Sequence, residues 1–561
     1  MTDGLYGLAL KKYNRGIMEL FDKMKKLDLN EKWIKWIAVI VFTVITIVTS
    51  WNSDDAYHAF IMAKNLVEGN GLVYNVGYRV TASTCPLYTL LTALIYVLLG
   101  ADHMYFAGII GGVVFSFLAV YILVFKMCKT KMDAVMAVTI LLVCYCFMTY
   151  TTAGLENSLL FFLAALFLKL YLNKDEFSLR ELLGLALIFA LMATTRVDSV
   201  LIFIPAICIG YLFDSKIGFL KKIGIGVCGL LPFIIWELFS LFYYGFFFPN
   251  TMYIKLNTGF PESDYLTRGF DFLYRSFLTD SVLLIVPIVF FCISTAFRNR
   301  KLISVSAGCL LYIVYVVYIG GDFMVGRHLT LPFFVSFMGI IAALNSENEK
   351  VQKNRFPLFL LSAFLLAEVI SVVFVRPVAR ESFYEQIWDL SVTGVADEKR
   401  YYHNVSGFVP YVFSSKPEGG DFLKYYYSWS DVRKYSEMRE NKIAGNIEDY
   451  LPGIKNYNIQ EDGTLYMTDI FGLMDPLLSH LPAVREENWR IGHMKREIPE
   501  GYAESVAAGK NLIVNESLHE YYDKILLIIT GDLWDKERLS TIVKMNLGEY
   551  DYLIEEYLNA K

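Results

Sequence analysis

Cysteine is absent from the last third of this chain. All eight cysteines lie between Cys85 and Cys309, so the residues beyond them fold without disulfides in whichever compartment they occupy. None of the eight has metal-site spacing, and Cys144 and Cys146 fall inside an apolar helix. Zinc-binding His or Cys pairs are missing, as are a Gly-x-x-x-x-Gly-Lys loop for ATP and a Gly-x-Ser-x-Gly elbow. Internal repeats and low-complexity tracts are missing too, which counts against a transporter assembled from inverted repeats. Residues 1–35 are basic and polar without an h-region or a cleavage site, so no cleaved signal peptide is expected.

Long apolar runs, by contrast, are plentiful. Of 561 residues, 55% are hydrophobic and 16% aromatic, and several runs approach the roughly 20 residues a helix needs to cross about 30 Å of hydrocarbon. Candidate spans cover 34–50, 105–125, 132–150, 157–173, 181–195, 198–213, 222–242, 279–297, 302–319, 329–344 and 356–375. A twelfth stretch, "CPLYTLLTALIYVLLG" (85–100), is short and carries Pro86 near its start. If it lies in the interface, the basic N-terminus and the segments "KMCKTK", "NKDEFSLR", "DSKIGFLKK", "RNRK" and "ENEKVQKNR" all face the cytoplasm, as the positive-inside rule requires. If it spans, "KMCKTK" and "RNRK" move outside. The interfacial arrangement gives eleven spans.

Charge separates two regions. From Arg376 onward there are 21 Lys+Arg against 31 Asp+Glu, a net −10, whereas residues 1–375 carry 30 against 25, a net +5. No apolar run beyond 376 is long enough to span. The expected organisation is therefore a cytoplasmic basic N-terminus (1–33), a transmembrane domain (34–375) and an extracytoplasmic soluble domain (376–561). Segments such as "EDGTLYMTDIFGLMDP" and "YDKILLIITGDL" read as strand-like and "DKERLSTIVKMN" as helical, which makes the tail a small α/β domain. Its acidity suits a hydroxyl-rich glycan and argues against nucleic acid.

With that topology, every loop bearing unusual polar residues falls on the outer side. These loops are "SDDAYH" (53–58), "TTAGLEN" (151–157), "TTRVDS" (194–199), "YYGFFFPNTMYIKLNTG" (243–259) and "GGDFMVGRH" (320–328). Ionisable residues at membrane helix ends are costly unless they face water or one another, and by default they mark a functional site. The inventory is Asp54, Asp55, Glu156, Arg196, Asp198, Lys255, Asp322, Arg327 and His328. Carboxylates beside Arg and Lys suit transfer of a group from a phosphate leaving group: a carboxylate removes the acceptor proton and the cations stabilise the departing phosphate. With no nucleotide donor outside the cell, a lipid is the natural carrier of such a substrate.

The order of these segments resembles the GT-C superfamily of glycosyltransferases, which use polyprenyl-phosphate sugars. "DDAYHAFIMAKNLVEGNGLVYNVG", "AGLEN", "TRVDS", "YYGFFFPNTMYIKLNTG", "GGDFMVGRHLTLP", "DIFGLMDPLLSHLP" and "WRIGHMKREIPEGY" are together similar to the branch typified by the terminal arabinofuranosyltransferase of mycobacterial-type walls, over about residues 50–502. The resemblance implies a GT-C fold and an inverting transferase of the inner membrane. Its donor would be a polyprenyl-phosphate monosaccharide, usually arabinofuranose, and its acceptor a glycan. Asp54 and Asp55 match the acidic pair of the first outer loop, and one of them would be the general base. Arg196, Lys255, Asp322, Arg327, His328, Glu156 and Asn157 are the expected donor contacts. Asp198, Asn250, Tyr253, Arg490 and His493 are expected at the acceptor or behind the contact residues. Departures exist: the chain reads Arg196-Val197-Asp198 where relatives have Arg-Pro-Asp or Arg-Pro-Glu, and Val325-Gly326-Arg327-His328 where they have Gly-Gly-Arg-Phe. A different sugar, such as mannose or aminoarabinose on protein or lipid, therefore stays open, as does a divalent cation held by the acidic loops.

Blander roles compete. Asp54 and Asp55 equally suit a helix N-cap, and so do Glu156 and Asn157. Arg196 with Asp198, and Asp322 with Arg327, suit structural ion pairs, while the Gly320-Gly321 doublet suits close approach of a ligand.

Overall fold

The computed structural model describes residues 30–99, 104–213, 216–345, 394–413, 445–446, 456–459, 465–486 and 489–561. The expected span 356–375, the basic segments 1–29 and 347–355, and most of the tail's first half lie outside the described residues.

The protein is mostly helical, and its apolar helices mark it as membrane-associated. Among the described residues, four helical stretches are long and apolar enough to cross a membrane: Tyr105–Met127, Phe219–Tyr243, Arg300–Tyr318 and Arg327–Leu344. A fifth forms if Glu262–Thr279 and Val282–Ala296, which meet at 97°, count as one broken span. Along Glu31–Val48, Ile37, Ile40, Val41, Val44 and Val48 are exposed while Ala38, Val39 and Phe42 are buried, so one face packs inward and the other is left for lipid. Three charges, Glu31, Lys32 and Lys35, occupy its first turns and shorten the apolar part.

Two expected spans are broken in the structure. The stretch 132–150 divides into Lys131–Val143 and Tyr145–Tyr150 at Cys144, whose backbone is extended (ψ 104°). The freed amide of Cys146 donates to Asp280 Oδ2 at 2.9 Å, and the Cys144 thiol to the same oxygen at 3.3 Å. An apolar environment forbids an orphaned backbone N–H, and a buried carboxylate from the bend at 280 fills that need. The stretch 198–213 begins as a 3-10 helix, Val197–Ile202, before Ile204–Leu212 continues with Pro205 in its first turn. Pro86–Leu99 is a helix of 14 residues, too short to cross as a regular span.

Packing follows small residues and aromatics. Phe219–Tyr243 lies against Leu179–Thr195, where a Cβ on Gly229 would stand 2.4 Å from that of Ala186. Phe147, Phe161, Phe333 and Phe334 interlock in the core. In the tail, three short strands, Gly445–Asn446, Asn456–Ile459 and Leu465–Thr468, form an antiparallel sheet in sequence order. "YDKILLIITGDL", read as strand-like, is instead helical within Glu516–Thr530. Leu518, Tyr522, Ile525 and Ile529 recur every three or four residues and bury one face, and Asn515 caps its start. Lys536–Asn546 is the helix expected there, capped by Asp535.

Candidate active site

Helix ends and loops from five parts of the chain converge. Asp54 and Asp55 open the helix Ala56–Val67, yet the Asp55 side chain makes no capping hydrogen bond, which leaves it free to face elsewhere. Ser53 N–H donates to Ala153 O at 2.9 Å, tying this loop to residues 151–156. Gly154 permits the contact: it has φ +71°, and a Cβ there would lie 2.7 Å from both Ala56 Cβ and Asn52 Oδ1. The Gly320-Gly321 doublet serves packing instead of a ligand, for Cβ atoms at these positions would strike Ile491 and Phe272.

The loops enclose a cavity of about 110 Å³. Asp55, Glu156, Arg196, Lys255, Asp322, Arg327, His328 and His493 line it, all of them expected site residues. His58, Ser83, Thr84 and Thr251 also line it and were not singled out. His58 lies in the polar loop "SDDAYH", and the polar residues Thr81, Ser83 and Thr84 ahead of Pro86 are a sequence signal of this wall.

Most of the charged groups are mutually paired. Glu156, 1% exposed, accepts from Arg196 Nη1 at 2.8 Å and from Arg327 Nη2 at 3.1 and 3.3 Å. Burial alone would raise its pKa, but Arg327 and Arg196 outweigh that and hold it down at about 2. Asp198 grips Arg196 through 2.9, 3.1 and 3.2 Å hydrogen bonds. His328 is wedged among Arg196 at 3.1 Å, Tyr312 at 3.0 Å and Asp322 at 3.3 Å. Although burial opposes it, His328, Arg327 and Lys255 together hold Asp322 well below the usual carboxylate range. Asp55 behaves in the opposite way: burial and the like charge of Asp54 push it up to about 7, against the pull of Arg327 at 3.8 Å. Burial also lowers the pKa of Lys255, and among the described residues no carboxylate lies within ion-pair distance of its ammonium.

A second, larger cavity of about 420 Å³ adjoins the first and is mostly apolar, with Trp236, Phe247, Phe248, Met252, Tyr315 and Tyr318 in its walls. Ser83, Thr84, Arg196, Thr251 and Lys255 line both cavities. A greasy groove thus leads to a cationic threshold.

Other expected site residues are placed behind the walls. Asn157 donates to Arg327 O at 3.4 Å and Thr330 Oγ1 at 3.2 Å, fixing the turn that aims Arg327. Asn250 donates to Asp475 O at 2.9 Å, and Tyr253 stacks on His480, so both join Asn250–Leu256 to the tail. Arg490 stacks over Phe323, which also meets the ring of His493. Burial, with Arg490 nearby, keeps His493 neutral, and burial does the same for His58. Asp54 is absent from the cavity wall and accepts the Tyr402 hydroxyl at 2.8 Å. Glu398, a buried carboxyl missed in the sequence, lies within electrostatic reach of Asp54 and Asp55, and burial and those charges push its pKa well up.

Among the described residues no group of three or more His, Cys, Asp or Glu is arranged to hold a metal ion. Glu156, Asp198 and Asp322 are instead committed to Arg196, Arg327 and His328. No protein-family model, no curated protein and no solved structure matches this chain.

Proposed function

We propose that the protein is an inverting glycosyltransferase that moves a monosaccharide from a polyprenyl-phosphate donor to a glycan acceptor. The observation that carries this reading is the continuity of the two cavities through Arg196 and Lys255. An apolar groove of that size suits a lipid tail, its cationic threshold suits a phosphate, and the carboxylate beyond suits deprotonation of a hydroxyl.

In the proposed reaction the lipid phosphate sits against Lys255 and Arg196, and its sugar projects towards Asp55. The acceptor hydroxyl gives its proton to the carboxylate of the acidic pair as its oxygen bonds to the anomeric carbon. The bond from that carbon to the phosphate oxygen breaks, and the electron pair stays on the phosphate, where the two cations stabilise it. A single displacement inverts the anomeric centre. Glu156 and Asp198 hold the guanidinium of Arg196 in place, and the neutral imidazoles of His58 and His493 offer hydrogen bonds to sugar hydroxyls without adding charge. The resemblance to GT-C enzymes supports arabinofuranose as the sugar. It also supports a GT-C arrangement of eleven spans in the inner membrane, with the site and tail on the extracytoplasmic side.

The decisive assay is transfer from polyprenyl-phosphate arabinofuranose to a panel of glycan and peptide acceptors, using the full chain in nanodiscs. Product formation with an inverted anomeric centre is the expected result. Turnover with lipid-phosphate mannose or aminoarabinose alone would keep the enzyme class and reassign the sugar. Wild-type protein inert towards every lipid-phosphate sugar would sink the proposal.

A further inference from the structure

The geometry points to a division of labour within the acidic pair: Asp55 takes the acceptor proton, and Asp54 is a positioning residue locked by Tyr402 from a distant strap, residues 394–413. This deepens the transfer reading above and rests on it.

Both oxygens of Asp54 are already in use. Oδ1 accepts from the Asp55 N–H at 2.8 Å, and Oδ2 accepts from the Tyr402 hydroxyl at 2.8 Å. Asp55 lines the cavity, and the cation paired with it among the described residues, Arg327, stands at 3.8 Å, too far for a hydrogen bond. Its lone pairs therefore face the space that an acceptor hydroxyl would enter. Asp54 instead fixes the backbone that aims Asp55.

The strap is stitched to the site from both sides. Ala396 N–H donates to Phe323 O at 2.6 Å and its carbonyl accepts from Val325 N–H at 2.9 Å, beside Asp322. Tyr145 donates to Asp397 at 2.7 Å. Ser406 Oγ donates to Asn52 O at 2.7 Å, and Phe408 N–H to Ser50 O at 2.8 Å, next to Asp54. Tyr402 thus hangs from a segment held at each end by the two loops that carry Asp54 and Asp322. The charged and titratable groups facing Asp55 are Asp54, Asp322 and Glu398 on the acidic side and Arg327 and Arg490 on the basic side. Burial with the like charge of Asp54 pushes Asp55 up to about 7, which suits a base at physiological pH. In the step proposed, Asp55 receives the proton of the hydroxyl as its oxygen displaces the lipid phosphate from the anomeric carbon.

The test compares Asp55→Asn, Asp54→Asn, Tyr402→Phe and the Tyr402→Phe/Asp54→Asn double variant in nanodiscs with polyprenyl-phosphate arabinofuranose. Asp55→Asn is expected to lose about 1,000-fold in kcat, within the span of general-base effects. Asp54→Asn and Tyr402→Phe should each lose about 10-fold in kcat at unchanged KM, and the double variant no more than Asp54→Asn alone, because both act through one contact. An Asp54→Asn loss as deep as that of Asp55→Asn, a silent Tyr402→Phe, or additive losses would overturn the assignment. Infrared titration supplies a readout independent of turnover. The wild-type-minus-Asp55→Asn difference spectrum should contain a carboxyl band titrating near neutral pH, and in Asp54→Asn that band should remain but titrate at lower pH, because a like charge is gone; a difference spectrum without such a band overturns the proposal even where Tyr402→Phe fails to fold. Wild-type protein that turns over no lipid-phosphate sugar defeats the transfer reading, while the infrared bands still decide which aspartate is the poised one.

Discussion

Replacing Glu156 by Gln is the most informative single perturbation of the site's architecture. This carboxylate serves two guanidiniums at once, Arg196 at 2.8 Å and Arg327 at 3.1 Å, with almost no exposure to water. Removing one partner of a buried ion pair costs about 3–5 kcal/mol, because the remaining charge stays buried without compensation. Linkage gives a figure of the same size. A carboxyl that falls from an ordinary 4.5 to about 2 on folding contributes about 3 kcal/mol at neutral pH. The folded pKa is depressed, so this stability is present above pH 4.5 and is lost as pH falls towards 2. Asp198 still holds Arg196 in the variant, whereas among the described residues the carboxylates left to Arg327 are Asp55 and Asp322, each at 3.8 Å. The loss should therefore fall mainly on Arg327, near about 3 kcal/mol, the lower end of the range for a broken buried pair. Thermal unfolding in detergent at pH 7.5 measures it, with wild type and Glu156→Gln also compared at pH 3.5, where the gap should narrow. A variant as stable as wild type at neutral pH, or a gap that does not change with pH, would refute the clamp.

Four further outcomes follow from the same geometry. With Asp55 raised to about 7, kcat should climb about tenfold per pH unit below neutrality and level off above it; a profile flat from pH 5 to 8 contradicts a base of that kind. The same shift favours the protonated carboxyl on folding, so this residue's contribution to stability should decline as pH rises from 3.8 past about 7. Lys255→Met removes the cation shared by both cavities and should raise the donor KM or lower kcat by a combined factor of about 100, read as kcat/KM for a fixed acceptor. Ala193→Trp fills part of the apolar groove, so it should weaken a long-chain donor about tenfold while leaving a short-chain donor nearly unaffected, as competition kinetics would show.

The gathering of charged loops at one place is readable from the sequence. Charged residues placed at the ends of apolar runs have few positions available to them, since hydrocarbon excludes them and only a wet surface or a partner accepts them. For that reason the sequence alone marks the loops around Asp55, Glu156, Arg196, Lys255, Asp322 and Arg327, and all six residues line one cavity. His58 was less legible. It occupies the polar loop 53–58, but a histidine on a helix says nothing of the direction it faces until the helix is docked.

The amphipathic patterns also had limits. "YDKILLIITGDL" carries enough β-branched residues to suggest a strand, and only its burial on one helical face decides otherwise. A continuous apolar run over 132–150 gives no local warning of the break at Cys144, because the residue that satisfies the exposed amide is Asp280, far along the chain.

The sequence by itself determined that the chain is a helical, membrane-associated protein with ionisable loops gathered at helix ends, because desolvation acts on each residue wherever it sits. Only the tertiary structure decided which charges pair, which of two adjacent aspartates faces the cavity, and how an apolar groove meets a cationic threshold. Those depend on contacts such as Tyr402 with Asp54, 348 residues apart, and a hydrogen bond between distant segments leaves no periodicity or local propensity in the sequence to announce it.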